Sequence, residues 1–250
     1  MGLEVQALTK RFYDQKRGEF LAVDNVSFGC EKGEIFGLLG PNGAGKTTTL
    51  RMITTILKPT SGTATVNGFD ICKESDEVRK QIGFVSADTG LYERLTPREI
   101  LRYFGRLSKY PLEKLDDRLD AVIAMLQMSA FADSRCEKLS TGMRQKVSIG
   151  RAIIHDPPVL IMDEPTTGLD VLTSQMVHEL VRKFREMEKC VVFSSHIMSE
   201  PEKLCDRIGI IHDGKLLAIG NMEELREQTG KHYLEDIFLD VVQVREVGQS

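Results

Sequence analysis

Gly40-Pro41-Asn42-Gly43-Ala44-Gly45-Lys46-Thr47, with Thr48 behind it, is the stretch on which the fold turns. Its pattern is a glycine, four residues, then Gly-Lys-Thr. It follows Ile35-Phe36-Gly37-Leu38-Leu39, an unbroken apolar run of the kind that a strand buried on both faces requires. A segment able to form a helix begins at Thr47. Strand, glycine-rich loop and helix in that order make a phosphate-binding loop. Glycine lets the backbone curl so that its N–H groups converge on an anion, and the helix start adds positive potential. Gly40 through Thr48 are therefore the candidate phosphate contacts. Lys46 is suited to the β- and γ-phosphates and the Thr47 hydroxyl to Mg²⁺.

Outward from the loop, the pattern is that of an α/β protein. Val159-Leu160-Ile161-Met162 and Val191-Val192-Phe193 are further apolar runs, and Arg207 to Ile211 is a candidate fourth. Helical patterns separate them, which predicts a parallel sheet covered on both faces. Leu3 to Ala7 and Ala22 to Phe28 read as half-buried strands, and Asn67-Gly68 as a turn. The middle, about residues 88–154, reads as helical. Thr96-Pro97-Arg98-Glu99 is a capping box with proline at the first helical position. Leu112 to Met128 has apolar residues at three- and four-residue steps, and Met143, Val147, Gly150 and Ile154 share one helical face. Ser199 and Glu202 read as a second capping box.

Composition narrows the function classes. The 250 residues carry a net charge of −4 with 28% charged residues, so no overall basic surface favours nucleic acid. The five cysteines are odd in number and none lies at a C-x-x-C spacing, which argues against a disulfide framework or zinc site. No charge-free apolar run approaches the roughly 18 residues that span a bilayer, and the N-terminus lacks a signal-peptide pattern.

Asp163-Glu164 closes the Val159–Met162 run. In an open α/β sheet, ligands gather at the carboxyl ends of the strands. Asp163 is then placed for Mg²⁺ and Glu164 for polarising a water, work worth roughly 10²–10⁴ in rate. A solvated acidic loop is the plain alternative when the pair is taken by itself. A GTPase would normally carry Asn-Lys-x-Asp, and that string is absent.

Leu139-Ser140-Thr141-Gly142-Met143-Arg144-Gln145-Lys146, about 20 residues before the acidic pair, resembles the Leu-Ser-Gly-Gly-Gln signature of ATP-binding cassette (ABC) ATPases. By itself it reads sooner as an N-capped helix. Ser140 and Gly142 nevertheless offer a hydroxyl and an open N–H at a helix start, a second anion site in a chain that already has one. A second site is accounted for if it grips the γ-phosphate held by another copy, in a head-to-tail dimer of C₂ symmetry. The resemblance extends to Thr167-Gly168-Leu169-Asp170, with Asp170 reaching across the dimer. It also takes in Ser194-Ser195-His196, where His196 matches the switch histidine beside Glu164. Phe12 or Tyr13 matches the aromatic that stacks on adenine, with Phe12 preferred.

The resemblance covers about residues 3–220. It implies a P-loop α/β fold with a mixed-sheet core, an N-terminal antiparallel β subdomain and an inserted helical subdomain at about 88–154. Residues 1–220 would be the ATP-binding domain and 221–250 an extension, expected to be helical. Implied cofactors are ATP and Mg²⁺. Leu50-Arg51-Met52-Ile53, Gly90 to Thr96, Ser140 to Met143 and Ser195 to Glu200 look like the ATPase subunits of bacterial two-component exporters, most of all sodium-extruding ones. That implies a separate membrane permease and a peripheral place on the cytoplasmic side of the cell membrane. Drug, lipid and peptide exporters share the architecture, and cassettes acting on ribosomes or DNA are a more distant reading. Leu91, Tyr92 and Leu95 are candidates for the permease contact, with core packing as the alternative. Thr141 and Met143 depart from the common signature. A larger departure is Ala87, where the family has a glutamine that serves Mg²⁺; Asp88, Ser86 or water would have to substitute.

Overall fold

The computed structural model describes residues 2–14, 18–86 and 90–248. Its centre is β3 (Ile35–Leu39), whose five residues are all buried. Continuous apolar composition demanded that position, because neither face of such a strand tolerates water. On one side lies β8 (Cys190–Ser195), then β7 (Val159–Asp163) and β6 (Ile82–Ser86); on the other lie β9 (Arg207–His212) and β10 (Lys215–Gly220). The order is β10-β9-β3-β8-β7-β6, parallel throughout except for β10, which returns antiparallel along β9.

Register sets the site. Leu39 stands opposite Ser195, and Ser194 opposite Asp163, which in turn stands opposite Ser86. The carboxyl ends of four strands therefore finish in line. The phosphate loop leaves β3 there, the acidic pair closes β7, and His196 follows β8.

A second sheet, order β2-β1-β4-β5, is antiparallel. It comprises β1 (Leu3–Asp14), β2 (Gly18–Cys30), β4 (Ser61–Val66) and β5 (Phe69–Asp70). The β4–β5 link is the expected Asn67-Gly68 turn, with φ of 48° and 91°. One hydrophobic core lies between the two sheets and takes Leu50, Met52 and Ile53 from α1 (Lys46–Ile53). α2 (Ser75–Gln81) leads into β6.

A second core joins the central sheet to the helices inserted between β6 and β7: α3 (Pro97–Leu107), α4 (Leu112–Met125) and α5 (Thr141–Ile153). α3 starts with the expected capping box, Thr96 accepting from the Glu99 N–H while Glu99 accepts from the Thr96 N–H. α4 stops before Met128, because Gln127 turns into the left-handed region at φ 52°. Val147, Gly150 and Ile154 of the expected face are buried. α6 (Val171–Glu186) covers the same side of the sheet.

α7 (Ser199–Leu204) corrects one expectation. Ser199 and Glu202 do not form a capping box: Met198 stands at the cap in helical conformation, without a side-chain cap bond. Glu202 instead faces Arg226 at 3.6 Å. The first turn is arranged around Glu200, which points inward. A third core takes in Leu39, Ile208 and Ile210 together with Leu225 of α8 (Met222–Thr229) and Leu234 and Ile237 of α9 (Leu234–Gly248). Residues after 220 thus pack against β9. α8 has its own capping box, Asn221 with Glu224.

Candidate active site

The loop between β3 and α1 takes the shape its glycines permit. Gly45 has φ 104°, and a Cβ there would stand 2.6 Å from the Ala22 carbonyl. Only glycine combines that angle with that approach. A cavity of about 130 Å³ opens over the loop, lined by Ala22, Pro41, Asn42, Gly43, Gly45, Lys46, Thr47, Thr48 and Glu164. Gly40 and Ala44 are buried beneath it.

Lys46 is 3% exposed. Its ammonium donates to the carbonyls of Gly40 (2.6 Å) and Pro41 (3.1 Å) and pairs with Glu164 Oε1 at 3.1 Å. Three acceptors match three N–H donors, which is what a buried ammonium needs. Glu164 has φ 48°, the left-handed region that non-glycine residues seldom occupy. Its N–H donates to Ser194 Oγ (3.0 Å), whose O–H donates to Asp163 Oδ1 (2.7 Å). Ser194 therefore ties the two acidic residues to the neighbouring strand. The same turn brings Glu164 Oε2 to 3.0 Å from His196 Nδ1 and lets it accept from the Thr167 hydroxyl at 3.1 Å. Burial pushes the Glu164 carboxyl up, but the hydrogen bond and charge of Lys46, then His196 and Thr167, outweigh it and hold the group below the usual glutamate range.

A second group of predicted residues gathers elsewhere. Ser140 caps α5, accepting from the Met143 N–H at 3.3 Å. Gly142 leaves room for α6, since a Cβ there would sit 2.9 Å from Thr173 Oγ1. Thr173 is bonded through N and Oγ1 to the side chain of Asp170, the N-cap of α6. These two donors hold the exposed Asp170 carboxyl below its usual range. Ser140, Gly142 and Asp170 are thus neighbours, and none of them lines the phosphate-loop cavity. Gln145 of α5 links the two regions: its amide donates to the Pro165 carbonyl next to Glu164 (2.7 Å).

Of the two aromatic candidates, Phe12 is half-buried opposite Phe20, ring centroids 5.8 Å apart, with the Lys10 ammonium 5.1 Å from its centroid. Tyr13 is 79% exposed. Phe20 is two residues from Ala22 of the cavity, which favours Phe12. Leu91 and Leu95 pack on the helical core, whereas Tyr92 stays open and clusters with Tyr103 and Phe104. Ala87 and Asp88 lie outside the described residues; Ser86 is buried at the end of β6. Ser194, Thr167 and Gln145 stand inside the motifs quoted from the sequence, and Ala22 at a strand start, but the sequence assigns none of them a role of its own.

A buried lysine on a glycine loop, a histidine after the adjoining strand and an acidic pair at the end of the next define a P-loop nucleotide hydrolase. Residues 23–167 match the family model described as ABC transporter. The chain is 43% identical over 232 residues to the ABC transporter ATP-binding protein NatA of Bacillus subtilis (strain 168), covering 92% of this chain and 94% of that one. It is 39% identical to the linearmycin resistance ATP-binding protein LnrL of the same organism, covering 85% and 68%. Among solved structures, an ATP-binding subunit of an ABC transporter superposes with TM-score 0.86 at 29% identity, over 97% of this chain and 100% of that one. The cassette MJ0796, solved as a dimer with ADP and Pi, gives TM-score 0.78 at 27% identity, over 88% and 98%. The chain belongs to the ABC transporter family, as an ATP-binding subunit that hydrolyses ATP.

Proposed function

We propose that this subunit works as a head-to-tail dimer that drives a bacterial exporter through a separate membrane permease, with Na⁺ as the cargo. Residues 1–220 are its ATP-binding domain and 221–250 its extension. The carrying observation is the division of predicted phosphate contacts into two groups: the loop cavity is lined by one and by none of the other. A relative solved as a nucleotide-bound dimer supports the same arrangement.

In this reading Gly40 to Thr48 hold the phosphates, Phe12 stacks on adenine, and Ser140 and Gly142 of the second copy contact the terminal phosphate. Asp170 of each copy lies at the contact between copies. Among the described residues no group of three or more His, Cys, Asp or Glu is preassembled for a metal. Asp163 and Thr47 supply hard oxygen donors, which suits Mg²⁺ that keeps waters and phosphate oxygens as its other ligands. When bound, the ion neutralises phosphate charge. Glu164 accepts a proton from the attacking water as the bond to the terminal phosphate breaks, and His196 orients that water and the phosphate. Ser86, opposite Asp163, stands where a polar group can serve in place of the glutamine missing at Ala87.

Tyr92, Tyr103 and the exposed Leu107 offer an apolar surface to the permease. Among the described residues, no helix is long and apolar enough to cross a membrane, so a peripheral place on the cytoplasmic side requires that partner. Sodium rests on the likeness of the exporter stretches; LnrL, named for linearmycin resistance, keeps drug export as the second reading. Ion and drug flux in sealed vesicles carrying the co-purified complex decides between them. ATP-dependent Na⁺ movement is the expected result, and drug movement without Na⁺ movement overturns it.

A further inference from the structure

Glu200 is a charged side chain in the interior, 7% exposed, in the first turn of α7. Its Oε2 accepts from the Ser195 hydroxyl at 2.6 Å and from the Thr166 hydroxyl at 3.1 Å; Oε1 lies 3.2 Å from His178 Nε2 of α6. A carboxylate only accepts, so His178 presents its Nε2–H. Burial pushes the Glu200 carboxyl up, yet the bonds from His178, Ser195 and Thr166 prevail and keep it below the usual range.

The donors matter because of where they sit. Ser195 directly precedes His196, and its oxygen also accepts the Ile197 N–H at 2.9 Å, closing a turn around the histidine. Thr166 lies two residues after Glu164, inside the turn closed by the Thr167 N–H to the Glu164 carbonyl at 3.2 Å. One carboxylate group thus binds both loops whose side chains meet in the 3.0 Å Glu164–His196 contact. An apolar side chain could fill the same volume without the desolvation cost of a buried charge, so packing alone does not call for a glutamate.

We infer that Glu200 is a positioning residue for hydrolysis, locking the loop of Glu164 to the loop of His196 through Thr166 and Ser195. It rests on the reading of Glu164 and His196 as the hydrolytic pair. Glu200 does not line the phosphate-loop cavity, so its loss should lower kcat and leave nucleotide binding intact. Misplacement of a reacting group by about 1 Å costs on the order of 10²-fold in rate.

The test compares the full chain with Glu200→Ala and Glu200→Gln, reading Tm, ATPase kcat and KM, and the His196 ring signals in ¹⁵N-histidine-labelled protein. Those signals are identified by their disappearance in His196→Ala. Glu200→Ala should lower kcat by about 10- to 100-fold with KM within about 2-fold, and shift the His196 signals. Glu200→Gln keeps a carbonyl acceptor for Ser195 and Thr166 and should recover kcat to within about 5-fold of wild type. Unchanged kcat in the folded Glu200→Ala protein, or a loss confined to KM, overturns the inference. Should that variant not fold, Ser195→Ala and Thr166→Val each remove one tie; unchanged kcat in both is equally decisive against it. Glu164→Gln and His196→Ala run alongside: wild-type hydrolysis in these would defeat the underlying reading, while the His196 signals would still report whether Glu200 sets that ring.

Discussion

Two buried charged residues, one in the cavity and one behind it, are each held by three partners. Lys46 is buried and saturated by two carbonyls and Glu164, so an incoming phosphate must compete with Glu164 for the ammonium. Glu164→Gln removes that competitor's charge while leaving the loop intact. ATP affinity should rise about threefold or more as hydrolysis falls by at least about 10². Titration with a fluorescent nucleotide checks it, and weakened binding would contradict the competition. Glu200 shows the other case, a carboxylate stabilised in its charged form. Its folded-state pKa lies below the unfolded value, so its contribution is present above about pH 4.5 and is lost as pH falls through the folded pKa. The Tm gap between wild type and Glu200→Gln should be fully present near neutrality and narrow as pH falls below about 4.5. A gap that widens on acidification would reverse the sign of the argument.

At the scale of elements, what could be read from sequence was local and what could not was relational. The phosphate loop, the buried strands, the Thr96 box and the Asn67-Gly68 turn each depend on residues within a few positions. Chain-local chemistry therefore displays them. Ser194 acts across two strands, between the Glu164 N–H and the Asp163 carboxylate, and spacing along one chain does not announce such a bond. The Ser199–Glu202 expectation failed for the same reason. Its pattern fits a cap, but tertiary bonds to Glu200 position that turn instead. The sequence predicts a helical extension after residue 220, but only its packing shows that Leu234 and Ile237 are fully buried against β9. Leu234→Ala should therefore cost about 2–4 kcal/mol, read as a lowered denaturant midpoint. A change below about 0.5 kcal/mol would mean that the extension is not part of the cooperative core.

The whole molecule is a scaffold that aligns the carboxyl ends of parallel strands and holds the group proposed to contact a second copy's phosphate away from the loop cavity. Ser140, Gly142 and Asp170 assemble around the start of α5 and α6 through Thr173, while the loop cavity collects Lys46, Thr47 and Glu164. Val171 and Leu172, next to Asp170, are 82% and 80% exposed, an apolar surface suited to contact with a second copy. Sequence order alone placed these residues in one family pattern; their division into two groups emerged only in three dimensions. On the proposed reading, that division leaves a single chain incomplete. Light scattering on size-exclusion chromatography of Glu164→Gln, with and without Mg²⁺ and ATP, tests this most directly. The account predicts a monomer without nucleotide, a dimer with it, and no dimer when a bulky charged side chain replaces Gly142 in the same background. A Glu164→Gln protein that is saturated with ATP yet stays monomeric would contradict it.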